Sequence, residues 1–265
     1  MSTTGETRTR EDWARAAAQL TPAQGHFIGG RSVPSRSGQT MPCVNPANGQ
    51  LIAQVARGQA EDVDAALAAK QLKPVHVARF GLGVKDLGKE LAAARDAGAN
   101  VVFSYTVGPE NAAIANGKRD LKWDVPQVGA WPLSFPFFID GAKAAADGAL
   151  MAQTFIAEPS NERRAAFLTA YQRKYKHKIA VPMAAAQAYD TTYLLTYAMF
   201  SIRDGKFTGP AVKAALENIP RVYYGVVATY DKPFSVNDKD AVTPNMLVMG
   251  KVKSGAVTFA YPEDA

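Results

Sequence analysis

The run DLGKELAAARDAGANVVFSYTVGPENAAIANGKR, Asp86 to Arg119, decides the fold. Asp86 is placed to cap a helix that carries Leu87, Leu91 and Ala94 on one face, and Gly98 stops it where a left-handed residue costs little. Asn100 to Tyr105 then reads as a strand. Pro109 suits the first turn of a second helix, Glu110 to Arg119, because the amide proton it lacks has no partner there anyway. Helix, strand and helix in this order predict an α/β layer built on a parallel sheet.

The same alternation extends both ways. Upstream, Val75 to Phe80 reads as the first strand of the layer. Downstream, Val125 to Ala130 is a third strand, Trp131 to Phe138 an aromatic loop, and helices follow around Ile139–Asp147, Asn161–Tyr175, Met183–Ile202 and Pro210–Ile219. Val222–Tyr230, Leu247–Lys253 and Ala256–Phe259 predict a small antiparallel meander at the end of the chain.

The first seventy residues have another character. Glu11 to Leu20 has the alanine content of a short helix anchored by Trp13. His26–Arg31 and Ser35–Gln39 alternate apolar pieces with Gly and Ser as hairpins do, Pro42–Gly49 reads as a strand end and turn, and Leu51–Val55 as another strand. Ala60, Val63, Ala66 and Leu67 share a helical face, with Glu61, Asp62 and Asp64 in its first turn. Pro74 interrupts this helix, and a β-type run follows at once. The domain boundary is therefore expected near Lys70, giving segments 1–70 and 71–265.

Composition narrows the function classes. The chain has 265 residues, of which 47% are hydrophobic and 20% charged, and its formal net charge is +6. This is enough apolar material for one sizeable core or two small ones, and it excludes a disordered or coiled-coil protein. The densest basic run, Arg173 to Lys178, falls where a helix should end, so its cations complement the carbonyl end of the dipole; nucleic-acid contact is the lesser reading.

Cys43 is the one cysteine, which rules out an intrachain disulfide and any Cys-x-x-Cys metal site. His26, His76 and His177 are scattered without carboxylate or cysteine at ligand spacing, so no zinc site and no cofactor is expected. Met1 to Leu20 lacks the apolar stretch of a secretory signal, and no apolar run approaches the roughly 20 residues that span a bilayer. Gly-x-Ser-x-Gly, Walker and His-Glu-x-x-His motifs do not occur. Gly81-Leu82-Gly83 follows a strand and precedes a helix, but the third glycine of a dinucleotide loop would fall at Asp86, whose carboxylate repels a pyrophosphate.

In an open α/β sheet, ligands bind beyond the carboxyl ends of the strands. Tyr105 and Thr106 end the second strand, and Trp131 and Pro132 follow the third. Hydroxyls and free amides there suit a carboxylate, and the rings suit an apolar body or an ammonium group. The competing reading is that Trp131, Phe135, Phe137 and Phe138 close the core. Tyr189, Tyr193 and Tyr197 lie four apart on one helical face, and Asp190 among apolar neighbours needs a partner if buried.

Two resemblances rest on particular motifs. Phe27–Gly30, Ser37–Thr40, Val44–Gln50 and Ala60–Ala66 resemble the start of the aldehyde dehydrogenase superfamily over about Glu11 to Ala69. In that family the segment is a hairpin and opening helix, and the nucleophile and nucleotide domain lie elsewhere. Cys43 does not occupy the nucleophile position, so no catalysis is expected.

Gly83–Leu87, Ala94–Asn100, Gly108–Ala112, Ala188–Asp190, Tyr230–Ser235 and Met249–Gly255 resemble the type I periplasmic solute-binding proteins of ABC importers for branched-chain amino acids and related acids. This covers about Lys73 to Pro262 and corresponds to the second lobe and the segment returning to the first, whose sheet is missing. The resemblance implies a small-molecule ligand, an amino acid or related organic acid, held by Tyr105, Thr106, Trp131, Pro132, Tyr189 and Asp190. It also implies an importer permease as partner and the periplasm as the location. Without an export signal the chain as written is cytoplasmic. The incomplete lobe predicts self-association. The alternatives are a non-catalytic dehydrogenase relic and a fusion product without selected activity.

Overall fold

The computed structural model describes residues 24–29, 31–44, 49–236 and 238–264. The helix expected over Glu11–Leu20 and the turn residues Asn45–Asn48 lie outside them. Two compact units divide between Val77 and Ala78.

The first unit consists of two hairpins and a helix. β1 (His26–Ile28) pairs antiparallel with β2 (Arg31–Val33), and β3 (Thr40–Val44) with β4 (Leu51–Ala56), with a shift of register at Cys43 and Val44. α1 (Ala60–Ala68) follows. Asp62 organises the unit: buried at 5% exposure, it accepts from Ser35 Oγ at 2.9 Å, the Arg36 amide at 2.8 Å and the Gln59 amide at 2.9 Å. Those amides, Arg36 first, pull its pKa down to about 2 against the opposing effect of burial. The acidic first turn predicted from sequence is thus also a tether between the helix and the turn after β2.

Residues 75–80, expected as the first strand of the second unit, form no strand. β-branched content favours a strand only where a neighbour completes the ladder, and Val75 and Val77 stay 57% and 55% exposed. The second unit begins instead with α2 (Gly88–Asp96), then β5 (Val102–Ser104), α3 (Glu110–Asp120) and β6 (Gln127–Gly129). Asp86 Oδ1 accepts from the Gly88 amide at 2.8 Å and so opens α2.

The residues read as an aromatic loop are helical: a 3₁₀ turn over Trp131–Ser134 leads into α4 (Pro136–Ala142). β7 (Leu150–Gln153), which the sequence did not announce, is the middle strand of the sheet. α5 (Glu162–Tyr175), α6 (Pro182–Phe200) and α7 (Gly209–Glu217) follow. The end of the chain is two hairpins and not one meander: β8 (Tyr223–Tyr224) pairs with β9 (Thr229–Tyr230), while β10 (Val248–Lys253) and β11 (Ala256–Phe259) join the main sheet.

That sheet has the order β11-β10-β7-β6-β5. β5, β6 and β7 are parallel and the β10–β11 hairpin is antiparallel, the mixed α/β layer that the alternating pattern predicted. Its main core combines Met151 and Val252 from the strands with Ala112 and Ala115 of α3 and Leu133, Phe138 and Ala142 around α4. Small residues on α3 let the helix approach the strands closely. Leu87, Leu91 and Ile114 close α2 on α3. Phe155, Phe167 and Ala186 form one further cluster, and Leu194, Ala198, Ile219, Tyr223 and Tyr230 another, around the helices α5 to α7.

Candidate functional site

Ser104 and Gly129 are register partners on parallel strands, so the chain leaves β5 and β6 side by side at their carboxyl ends. Close contact there requires a glycine, because a Cβ at Gly129 would meet the Ser104 carbonyl oxygen at 2.8 Å. Tyr105 leaves β5 with its ring 85% exposed. Thr106 turns inward: its hydroxyl donates to Glu110 Oε2 at 3.2 Å, and its carbonyl accepts from Asn111 Nδ2 at 3.1 Å. Such a hydroxyl keeps its lone pairs for an incoming N–H donor.

Glu110 was read only as the first residue of a helix. It is 1% exposed and also accepts from the Gly83 amide, so it joins the Gly81–Gly83 loop to the start of α3. The Gly83 amide, ahead of the Thr106 hydroxyl, holds the Glu110 carboxyl below the usual carboxylate range even though burial works the other way. Beneath it, Gln127 Nε2 donates to Ser104 Oγ and to the Asn111 carbonyl, both at 3.3 Å. A buried polar lattice therefore fixes the backbone under Tyr105 and Thr106.

On the neighbouring loop, Trp131 is 44% exposed and its ring packs edge-on against Phe135 with centroids 5.0 Å apart. Ser134 Oγ donates to the Trp131 carbonyl at 2.7 Å and rigidifies the 3₁₀ turn, in which Pro132 is buried. Trp131 thus presents one part of its ring outward while Phe138 is fully buried in the core.

Tyr189 and Asp190 belong to a separate group on α6. Tyr189 is 37% exposed, packs against Phe167 and Tyr193, and lines a groove of about 450 Å3 between α5 and α6. Its hydroxyl donates to that of Tyr193, which pushes its pKa up to about 12. Asp190, read as a ligand residue, is 1% exposed. It accepts from the Val226 and Val227 amides at 2.8 Å each and from the Tyr223 and Tyr230 hydroxyls at 3.1 and 3.2 Å. Burial first, then the Asp190 charge, raises both of those phenols above their ordinary range.

Four of the six residues named from sequence therefore lie on the carboxyl-end loops of adjacent strands, and two lie on a helix beside a different core. Among the described residues no group of three or more His, Cys, Asp or Glu side chains could hold a metal ion, and no helix is long and apolar enough to cross a membrane.

An open α/β sheet whose strands deliver polar and aromatic residues to one edge defines a class of ligand-binding lobes. The family model for periplasmic binding proteins matches residues 53–256, and the chain belongs to that family. Among solved structures it resembles a type 1 periplasmic binding protein from Bordetella pertussis Tohama I, with 21% identity over 75% of this chain and 56% of that one and a TM-score of 0.59. A leucine-binding protein from Thermotoga maritima matches with 23% identity over 70% and 51%, TM-score 0.58. An ABC-transporter solute-binding protein from Rhodopseudomonas palustris, solved with benzoate, matches with 14% identity over 76% and 53%, TM-score 0.56. The chain thus spans little more than half the length of the solved structures it resembles. A separate stretch of 45 residues, 17% of the chain, is 50% identical to vanillin dehydrogenase from Pseudomonas fluorescens, of which it covers 9%.

Proposed function

We propose that this chain is a non-catalytic solute-binding protein of an amino-acid-type ABC importer, or a truncated derivative of one. Its ligand would be a small carboxylate-bearing molecule such as a branched-chain or aromatic amino acid. The observation that carries this reading is the exposure of Tyr105 and Trp131 on loops leaving adjacent, in-register parallel strands at their carboxyl ends. The two rings would cover an apolar body, the Thr106 hydroxyl would accept from an ammonium group, and Pro132 would set the rim of the loop. Tyr189 would offer a separate apolar contact in the groove between α5 and α6, with Asp190 supporting it by anchoring the loop from Tyr223 to Tyr230. Structures of the same fold were solved with benzoate, isoleucine and valine, each a small carboxylate. By family, the chain would work in the periplasm and deliver its ligand to an importer permease.

Calorimetric titration of the whole chain with isoleucine, valine, phenylalanine and benzoate tests this. Binding of at least one below millimolar concentration is expected, weakened about tenfold or more by Tyr105→Ala or Trp131→Ala, a loss of roughly 1.4 kcal/mol. No binding by any of them below a millimolar would end the reading. The vanillin dehydrogenase match favours a second one, in which residues 1–70 are a non-catalytic dehydrogenase relic joined to 71–265. Nicotinamide-dependent aldehyde turnover lost on Cys43→Ala would replace both.

A further inference from the structure

The ligand class proposed above spans acids with and without an ammonium group, and the loop after β5 bears on that choice. Thr106 is half-buried, and its hydroxyl donates to Glu110 Oε2 at 3.2 Å. Glu110 is 1% exposed, accepts from the Gly83 amide as well, and forms no ion pair with a cation among the described residues. The loop closes tightly on this carboxylate, since a Cβ at Gly108 would overlap Glu110 Oε2.

A tether between the Gly81–Gly83 loop and α3 needs only an acceptor, and a glutamine supplies one without the cost of a buried charge. The first turn of α3 and the two donors offset part of that cost, but none of them carries a full positive charge. The Gly83 amide also lowers the Glu110 pKa, so the carboxylate accepts and does not donate. The single proton of the Thr106 hydroxyl is therefore held on Glu110, and only the oxygen's lone pairs remain for a ligand.

We infer that Glu110, acting through Thr106, makes this site choose acids that bear an ammonium group over the same acids without one. The inference rests on the solute-binding reading and narrows its ligand class to amino acids. Glu110 is a positioning residue here: it fixes the direction of the hydroxyl and places a negative charge behind it. An ammonium group that donates to Thr106 Oγ1 would stand roughly 5 Å from the Glu110 carboxylate, within the range over which opposite charges favour each other. A carboxylate in the same place would find no proton to accept and a like charge at that distance. The carboxylate of the ligand therefore turns away from Thr106, and an acid without the ammonium group leaves the hydroxyl oxygen unpaired.

Calorimetry of the intact chain at pH 7 compares valine with isovalerate and phenylalanine with hydrocinnamate, pairs whose members differ only in the ammonium group. Each amino acid is expected to bind about tenfold or more tightly than its partner acid, a difference of roughly 1.4 kcal/mol. Glu110→Gln keeps an acceptor and loses the charge, whereas Thr106→Val keeps the shape and loses the hydroxyl. Both should reduce the preference to about threefold or less by weakening the amino acid and leaving the acid as it was. Thr106→Ser should keep the preference.

Equal affinities within each pair in the parent chain overturn the inference and leave the solute-binding reading standing. A preference that survives Glu110→Gln overturns it too, as does a loss shared equally by both members of a pair, which is what a purely structural tether gives. If Glu110→Gln fails to fold, the two Thr106 variants decide by the same criteria. A parent chain that binds none of these acids below a millimolar ends the solute-binding reading, and the inference with it.

Discussion

A carboxylate has room for about four hydrogen bonds, and Asp190 receives four. Its donors lie 33 to 40 residues further along the chain, on the turn from Tyr223 to Tyr230. Gly225 makes the approach possible, because a Cβ there would overlap the Asp190 carboxylate at 2.3 Å. Asp190→Ala should strand two amides and two phenols inside the protein and cost about 3 kcal/mol or more, with Asp190→Asn in between. Urea unfolding followed by circular dichroism measures both; a loss under about 1 kcal/mol for the alanine variant would show that water replaces the carboxylate. Sequence showed that Asp190, if buried, needs a partner. It gave no means of choosing between a ligand and the chain's own loop, since the donors are distant in sequence.

At the scale of elements, Glu110 couples the Gly81–Gly83 loop to α3. Its pKa is lower in the folded chain than the ordinary 4.5, so the stabilisation is complete above that value and is lost as pH falls through the folded pKa. Urea midpoints at pH 7, 4.5 and 3 should show Glu110→Gln less stable than the parent at pH 7 and the gap closing towards pH 3. A gap that stays constant with pH would remove the charge from the explanation. The helices were largely legible, because their signals are local: Asn161 Oδ1 accepts from the Arg164 amide at 3.0 Å at the start of α5, and Lys176 takes the left-handed conformation at its end. β7 was not legible. Its Leu-Met-Ala-Gln sequence has no β-branched residue and becomes a strand by pairing with β6 on one side and β10 on the other.

Across the whole molecule, residues 24–77 and 78–264 fall into two compact units, and the stretch between α1 and α2 is irregular. Lys70 and Arg79 are exposed there. Limited trypsin digestion should cut after these two residues before any site within the sheet, leaving a large fragment that begins at Gln71 or Phe80; first cleavage inside 102–153 would contradict the division. Sequence by itself determined the class of layer, most of its helices and the binding-protein family, since periodicity, capping residues and family motifs are properties of short stretches. Tertiary structure alone decided that Val75 to Phe80 is not a strand, that β7 is the middle of the sheet and that Asp190 is spent on a loop. Each of these depends on which distant backbone or side chain supplies the missing partner, and a hydrogen bond between remote residues leaves no periodic trace in either of them.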